Sequence, residues 1–353
     1  MALIFCDGFD HYGTMARMTD GAWAEVGNGC ALSTLNPRTG TNHIRQQGGA
    51  TNSTTNCRRV LGGAKTTVGM GAAFYYPSLP TSNNCQRIFQ FADTANIVQI
   101  TVCLQSTGIV EVFRSNTTTS LGATAAPVVV ANAYQHIEAV VFFSQTVGTV
   151  EVRVNGVTVL SLSAQDTCAT ANVECSQVYY GGGIPGESNN YSTTDFDDVF
   201  CYDNTTAYNA TFIGDRRVLT LFPNANTATA DWTAVGAATG YECIDEANPD
   251  DDTTYITAAT TGLESQFGLQ NLPAGISVIN AVVMVERARK TEAGTANTQV
   301  SIVSGASTTA GLDKPLTEIY TFRHDVFQTD PASAAPFTPS EVDALQFKVE
   351  RTA

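Results

Sequence analysis

Residues 134–162, YQHIEAVVFFSQTVGTVEVRVNGVTVLSL, constrain this chain more than any other stretch, because they specify three strands and the turn joining two of them. Ile137 to Phe143 is an apolar run, Thr149 to Val154 alternates polar with apolar residues, and Asn155-Gly156 is a two-residue type I′ turn signal. Pairing outward from that turn sets Val154 opposite Val157, Val152 opposite Val159 and Val150 opposite Ser161. The valines then share one face, while Glu151, Arg153 and Thr158 share the other. Turn chemistry and side-chain period agree on one register, so a hairpin with one face on a core is expected.

Similar short runs recur at 67–75, 87–91, 97–104, 108–114, 177–181 and 196–202, separated by turns rich in Gly and Asn. No apolar period of 3.6 residues persists for three turns, and that combination is the mark of a sandwich or jelly roll. Charged residues make up 14% of the chain, well under the roughly 25% of an ordinary globular protein. Such a composition suits sheets and polar loops better than solvated helices. A length of 353 residues favours two domains. The pattern restarts after Phe212-Ile213-Gly214-Asp215-Arg216-Arg217-Val218, which divides the chain into domains 1–215 and 216–353. In the second, Ile279, Ala281, Val283 and Val285 alternate with Asn280, Met284 and Glu286. Thr338-Pro339-Ser340-Glu341 is a capping box opening a short helix, and Leu345, Phe347 and Val349 mark a last strand. The expected fold class is all-β, a jelly-roll sandwich followed by a smaller β-sandwich.

With 18 basic and 33 acidic residues the formal charge is −15, which repels nucleic-acid phosphates and anionic membrane surfaces. No window approaches 18 consecutive apolar residues, so no membrane insertion is expected. The opening MALIFCDGFD lacks a basic n-region and a long apolar run, unlike a signal peptide. The nine cysteines are odd in number and contain no CxxC, so mostly reduced, partly buried thiols are expected, with Cys168 and Cys175 the nearest pair. The sequons at Asn52, Asn116, Asn204 and Asn209 read as by-products of Asn and Thr richness.

Candidate chemistry is sparse. The run Asp250-Asp251-Asp252, and Asp197 and Asp198 near Asp195, hold the oxygens a Ca²⁺ ion would use, but neither has EF-hand spacing. The expectation is a solvated acidic turn in the first case and buried carboxylates bonded to backbone N–H groups in the second. Gly62-Gly63-Ala64-Lys65-Thr66 lacks the glycines of a P-loop, and His11, His43, His136 and His324 have no zinc-ligand spacing. No GxSxG elbow and no strand of alternating carboxylates suggests hydrolysis. No catalytic residue, metal or cofactor is expected. Tyr75-Tyr76 and Tyr179-Tyr180 border Pro- or Gly-containing loops and are the candidates for contact with a sugar ring.

The hairpin followed by Asp195–Asp203, DFDDVFCYD, resembles the concanavalin A-like, laminin-G-like jelly roll. Further motifs resemble virion proteins of tailed bacteriophages: Asp7-Gly8-Phe9-Asp10-His11-Tyr12 at the start, the D-D-V strand, and the F-x-G-D-x-R-V seam at 212–218. Trp232-Thr233, Asp245-Glu246, the segment from Pro249 to Ile256 and the ending from Thr338 to Gln346 follow in the same order. The resemblance implies a non-enzymatic structural component of a tailed-phage particle, made in the bacterial host cytoplasm and displayed on tail or neck as an adhesin-like module. Its alternatives are a capsid decoration protein and, third, a glycan-cleaving jelly-roll enzyme. The implied partners are other virion proteins, copies of the chain itself in a trimer or about another symmetry axis, and a host surface glycan.

Overall fold

Turn chemistry at 155–156 closes the hairpin as expected: Asn155 and Gly156 take φ of 50° and 81°. The computed structural model describes residues 3–47, 56–81, 85–182, 192–206, 208–209 and 211–353; Asn52 and Gly183 lie outside them. Contacts divide the chain into two units, Met1–Phe9 with Trp23–Leu219, and Asp10–Ala22 with Thr220–Ala353.

The strands of the first unit are β1 Leu3–Asp7, β2 Glu25–Val26, β3 Cys30–Ser33, β4 His43–Gln46, β5 Cys57–Lys65, β6 Thr67–Tyr75, β7 Gln86–Ala92 and β8 Val98–Leu104. They continue with β9 Val110–Arg114, β10 Thr119–Ala123, β11 Tyr134–Phe142, β12 Gly148–Val154, β13 Val157–Gln165, β14 Cys175–Tyr180 and β15 Thr194–Asp203. One sheet runs β13-β12-β11-β6-β15-β4-β3 with β1 also on β15, and the other runs β10-β9-β8-β7-β14-β5-β2. Two antiparallel sheets packed over Phe74, Phe89, Phe91, Phe196, Tyr180 and the valines of β12 form an all-β, jelly-roll-type sandwich.

The hairpin register departs from the expectation after the second pair from the turn, Arg153 with Thr158. Val154 faces Val157, but Val152 faces Leu160 and Val150 faces Leu162. A β-bulge absorbs Val159 and turns the two larger leucines toward the covered side, which corrects the pairing with Val159 and Ser161. Leu162 packs closely enough on β10 that a Cβ on Gly122 would lie 2.8 Å from its Cδ2. On the other face Glu151 accepts from Arg153 and Thr158, both at 2.8 Å, as the alternation requires. Space at Gly156 is open, so Gly156→Val is disfavoured by its backbone conformation alone. We expect a loss of about 1–3 kcal/mol, read as a lower thermal midpoint, with Gly156→Asn nearly silent.

Cys85 and Cys103 form a disulfide across β7 and β8, with Cα atoms 5.1 Å apart, and seven other cysteines are free. Most cysteines are thus thiols, as expected, and the one bridge is the exception. Antiparallel pairing of Arg87 with Cys103 brings Cys85, two residues upstream, within bridging reach, whereas Cys168 and Cys175 stay unbridged.

The second unit holds β16 Pro223–Ala230, β17 Thr233–Val235, β18 Tyr255–Thr257, β19 Glu264–Leu269, β20 Val282–Ala288, β21 Asn297–Ser304, β22 Ser307–Ala310, β23 Lys314–Pro315, β24 Thr321–Phe327 and β25 Gln346–Arg351. Its main sheet is β16-β19-β25-β21-β22 with β23 on β21, beside the pairs β17-β18 and β20-β24. Ile302, Phe327, Phe337, Val342 and Leu345 form one core cluster, and Phe267, Val300, Phe347 and Val349 another. In β20 Met284 packs on both clusters while Val285 is exposed. The capping box is present at Thr338 and Glu341 and opens a helix over Pro339–Asp343.

Residues 10–22, which the sequence reading assigns to the first domain, belong to the second unit. Tyr12 and Phe322 meet edge-on at 5.0 Å, Met18 is fully buried, and Asp20 pairs with Arg287 at 3.1 Å. Gly21, at φ 108°, leaves no room for a Cβ, which would fall 2.6 Å from the Phe322 carbonyl oxygen.

Candidate functional site

Each sheet of the first unit has a face turned away from the shared core, and the two faces use their polar groups differently. On the β11-β6-β15 face, Glu138 accepts from Tyr202 Oη and Ile213 N at 2.8 Å and from Gly214 N at 2.9 Å. Asp198, at φ 53°, accepts from Val218 N at 2.8 Å and from Arg38 at 3.0 Å. Arg38 also donates to the Arg216 carbonyl and pairs with Asp215, while Arg217 donates to the Arg38 carbonyl. Arg153 lies 3.7 Å over the Phe212 ring. Residues 212–218 are thus fastened across this sheet as a strap. Beneath it Phe200 lies so close to β6 that a Cβ on Gly71 would sit 2.2 Å from its ring.

Asp197 and Asp198 serve this construction. Asp197 accepts from the backbone N–H groups of Arg38 and Thr39 at 3.0 Å and of Asp198 at 2.8 Å. Burial, then the adjacent Asp198 charge, push its carboxyl up to about 8 against those hydrogen bonds. Burial likewise raises Asp198 and Glu138, and it pushes the His136 imidazole down to about 4. A carboxyl raised in the folded state stabilises fully below its unfolded value, and that stability is lost as pH rises through the folded value. The depressed His136 acts the other way, adding stability as pH rises from about 4 to about 6.5, so we expect the melting temperature to fall most clearly between about pH 6.5 and about pH 8. Asp197→Asn should flatten the slope; an unchanged slope in that variant assigns it to other groups.

The acidic run in the second unit is neutralised by guanidinium groups. Asp251 accepts from Arg287 Nε at 2.6 Å and Arg17 at 3.1 Å, Asp252 from Arg289 at 2.7 Å, and Asp250 from Thr254 Oγ1 at 2.8 Å. Burial opposes ionisation of Asp251, yet Arg287 and Arg17 together hold it below the usual carboxylate range. Cationic side chains stand where a Ca²⁺ reading would put the ion. Among the described residues no cluster of His, Cys, Asp and Glu suits a metal.

The outward face of the second sheet is built otherwise. Direct pairing places Glu25, Arg58, Tyr179, Gln90, Thr101 and Phe113 in one row across β2, β5, β14, β7, β8 and β9. Gln90 donates to Thr101 at 3.0 Å and to Asn116 at 3.1 Å, and Arg58 donates to Gln177 at 2.7 Å. Tyr179 Oη bonds Asn96. Tyr179 and Gln90 form a floor 7% and 2% exposed, bordered by half-buried Arg58 and Phe113 and exposed Asn116. Nearly all of these bonds join one side chain to another; Gln90, Thr101 and Gln177 are buried beneath them, and Arg58, Asn116 and the rim of Tyr179 are what this row presents to solvent. On the strap face Glu138, Asp197 and Asp198 also accept from the backbone N–H groups of Ile213, Gly214, Arg38, Thr39 and Val218, bonds that cannot be exchanged without undoing the fold.

Of the four tyrosines read as sugar contacts, Tyr76 and Tyr180 are fully buried in the core, which removes them from a surface role. Successive residues of a strand point to opposite sides, so each Tyr-Tyr pair offers one ring outward. Tyr179 lies in the polar row, and Tyr75 is half-buried with its ring 5.4 Å from that of Tyr134. Arg58, Gln90, Thr101 and Gln177 were not singled out from sequence. The readable signal was polar residues in otherwise apolar strands, at positions of the outward parity.

Glu25 on β2 and Glu111 on β9, two residues before the row's Phe113, are five strand spacings apart, about 24 Å, against about 5–9.5 Å for paired glycosidase carboxylates. Glu25 is held by Arg58 at 3.2 Å. Burial raises the Tyr179 phenol, which keeps it a donor rather than a base.

No protein-family profile and no curated protein matches the chain. Among solved structures, a cellulose-induced protein, Cip1, is 14% identical over 60% of this chain and 93% of its own, with a TM-score of 0.40. The alginate lyase Aly36B is 12% identical over 49% and 86%, with a TM-score of 0.34. A galectin-like protein of unknown function from Bacillus subtilis is 9% identical over 57% and 96%, at 0.38.

Proposed function

We propose that this chain is a non-enzymatic structural module of a tailed-phage particle, displayed on tail or neck, that contacts host surface glycan through the face bearing Arg58, Tyr179 and Asn116. What supports the glycan reading is the outward Tyr179 phenol set beside half-buried Arg58 and exposed Asn116, an aromatic and polar surface on one sheet face. The virion reading rests on the motif resemblance, and two of its motifs prove to be one device, since the D-D-V strand holds the F-x-G-D-x-R-V segment at Val218 N. Buried carboxylates committed to such clamps suit a protein that must persist outside a cell. Labelling purified particles with an antibody to this chain and imaging them in negative stain tests the proposal. Label at tail or neck is expected, label over the capsid favours a decoration protein, and unlabelled particles overturn the virion assignment.

A further inference from the structure

We infer that Cys30 and Cys57 close into a second disulfide, one that ties the two sheets of the first unit together, when the chain meets an oxidising medium. Cys30 lies on β3, the last strand of one sheet, and Cys57 on β5, next to the last strand of the other. Both are free thiols, Cys30 half-buried and Cys57 buried. Independent bonds bring the two strands together at this edge of the sandwich. Cys30 pairs with Gln46, whose amide Nε2 lies 3.9 Å from Cys30 Sγ and donates to the Tyr180 carbonyl at 3.3 Å, and Tyr180 pairs with Cys57. On the backbone, Cys30 N donates to Gly27 O and Gly27 N to Asn56 O, both at 2.9 Å, which ends the relay one residue from Cys57. The two thiols share a hydrogen bond, and burial, then that contact, hold the Cys57 thiol well above its ordinary value. The Cys85–Cys103 bridge joins neighbouring strands of a single sheet, so it leaves this edge unfastened.

The oxidant is a small-molecule disulfide. Cys30, the member that solvent reaches, reacts first: its thiolate attacks one sulfur of the oxidant, forms a mixed disulfide, and releases a thiolate that takes up the proton Cys30 gave. Cys57 then attacks Cys30 Sγ and breaks the mixed disulfide, and its proton passes to the second thiolate released. Two protein sulfurs are oxidised and the oxidant is reduced to two thiols. In a reducing cytosol the reverse exchange keeps the pair open.

The test takes the full chain, prepared in mild reductant, before and after incubation with oxidised glutathione, then denatures it, alkylates the remaining thiols and maps the peptides by mass spectrometry. Two of the seven free cysteines should escape alkylation, and the peptides holding Cys30 and Cys57 should be recovered joined. The melting transition of the first unit should rise by about 5–10 °C on oxidation, because the bond closes a long loop. Cys30→Ser should melt as the reduced chain does and show no such rise. Alkylation of all seven thiols after oxidation, glutathione retained on Cys30 with Cys57 still alkylated, or a bridge between other cysteines such as Cys6 and Cys201 would each overturn the inference. The peptide map of the unmodified chain decides the matter even if the variant fails to fold, and it is read independently of the particle and glycan assignments.

Discussion

Val152→Asp should leave the first unit unable to reach its native state. Val152 is fully buried, between Ala139 of β11 and Leu160 of β13, with Val150 and Val154 on the same side of β12. A carboxylate placed there meets no donor, and an uncompensated buried charge costs about 3–5 kcal/mol, a large share of the 5–15 kcal/mol that typically holds a domain together. The expected outcome is insoluble expression, or loss of near-ultraviolet circular dichroism with partial retention of the far-ultraviolet signal. Arg153→Ala is the control from the opposite face. Its pairing with Glu151 is about one-third exposed and contributes little, but its cation–π contact with Phe212 should make the substitution cost about 0.5–1 kcal/mol. A larger loss in Arg153→Ala than in Val152→Asp would mean that the two faces are exchanged.

The second large effect concerns where the chain can be cut. A fragment of residues 220–353 lacks the Tyr12, Met18, Arg17 and Asp20 side chains that belong to its unit. It therefore loses the Tyr12–Phe322 contact and leaves Asp251 without Arg17 and Arg287 without Asp20. Removing a buried aromatic costs about 3–5 kcal/mol before the ion pairs are counted. We expect this fragment to be aggregated or poorly ordered by heteronuclear NMR, and added peptide 10–22 to restore dispersed spectra. A fragment as stable as the unit in the intact chain would show that the N-terminal segment is dispensable.

What the sequence made legible followed from local rules. Asn155-Gly156 specified its turn, Thr338 to Glu341 specified their capping box, and alternation placed Glu151 and Arg153 on one face. The bulge at Val159 was hidden because it depends on how much volume β12 and β10 leave for Leu160 and Leu162, a tertiary quantity. The disulfide was hidden for the same reason, since the reach from Cys85 to Cys103 exists only once β7 and β8 pair. The motifs behind the resemblance became physical in pairs. Asp198 belongs with Val218, and the segment containing Arg17 belongs with Asp251, distances of 20 and 234 residues that no periodicity relates. The polar row stayed unread because its members come from separate strands that pattern analysis treats one at a time.

The membership of residues 10–22 in the second unit also sets a timetable for synthesis. Their partners Arg287 and Phe322 lie about 270 to 310 residues further on. At roughly 5–20 residues per second this segment waits about 15–60 s before its binding surface exists. β1 waits as well, since its partner β15 is the last strand of its sheet to be made. Neither unit can close in the order in which it leaves the ribosome. Residues 3–22 are therefore the part that most needs shielding during translation, and mutations there should reduce yield more than they reduce the stability of protein already folded.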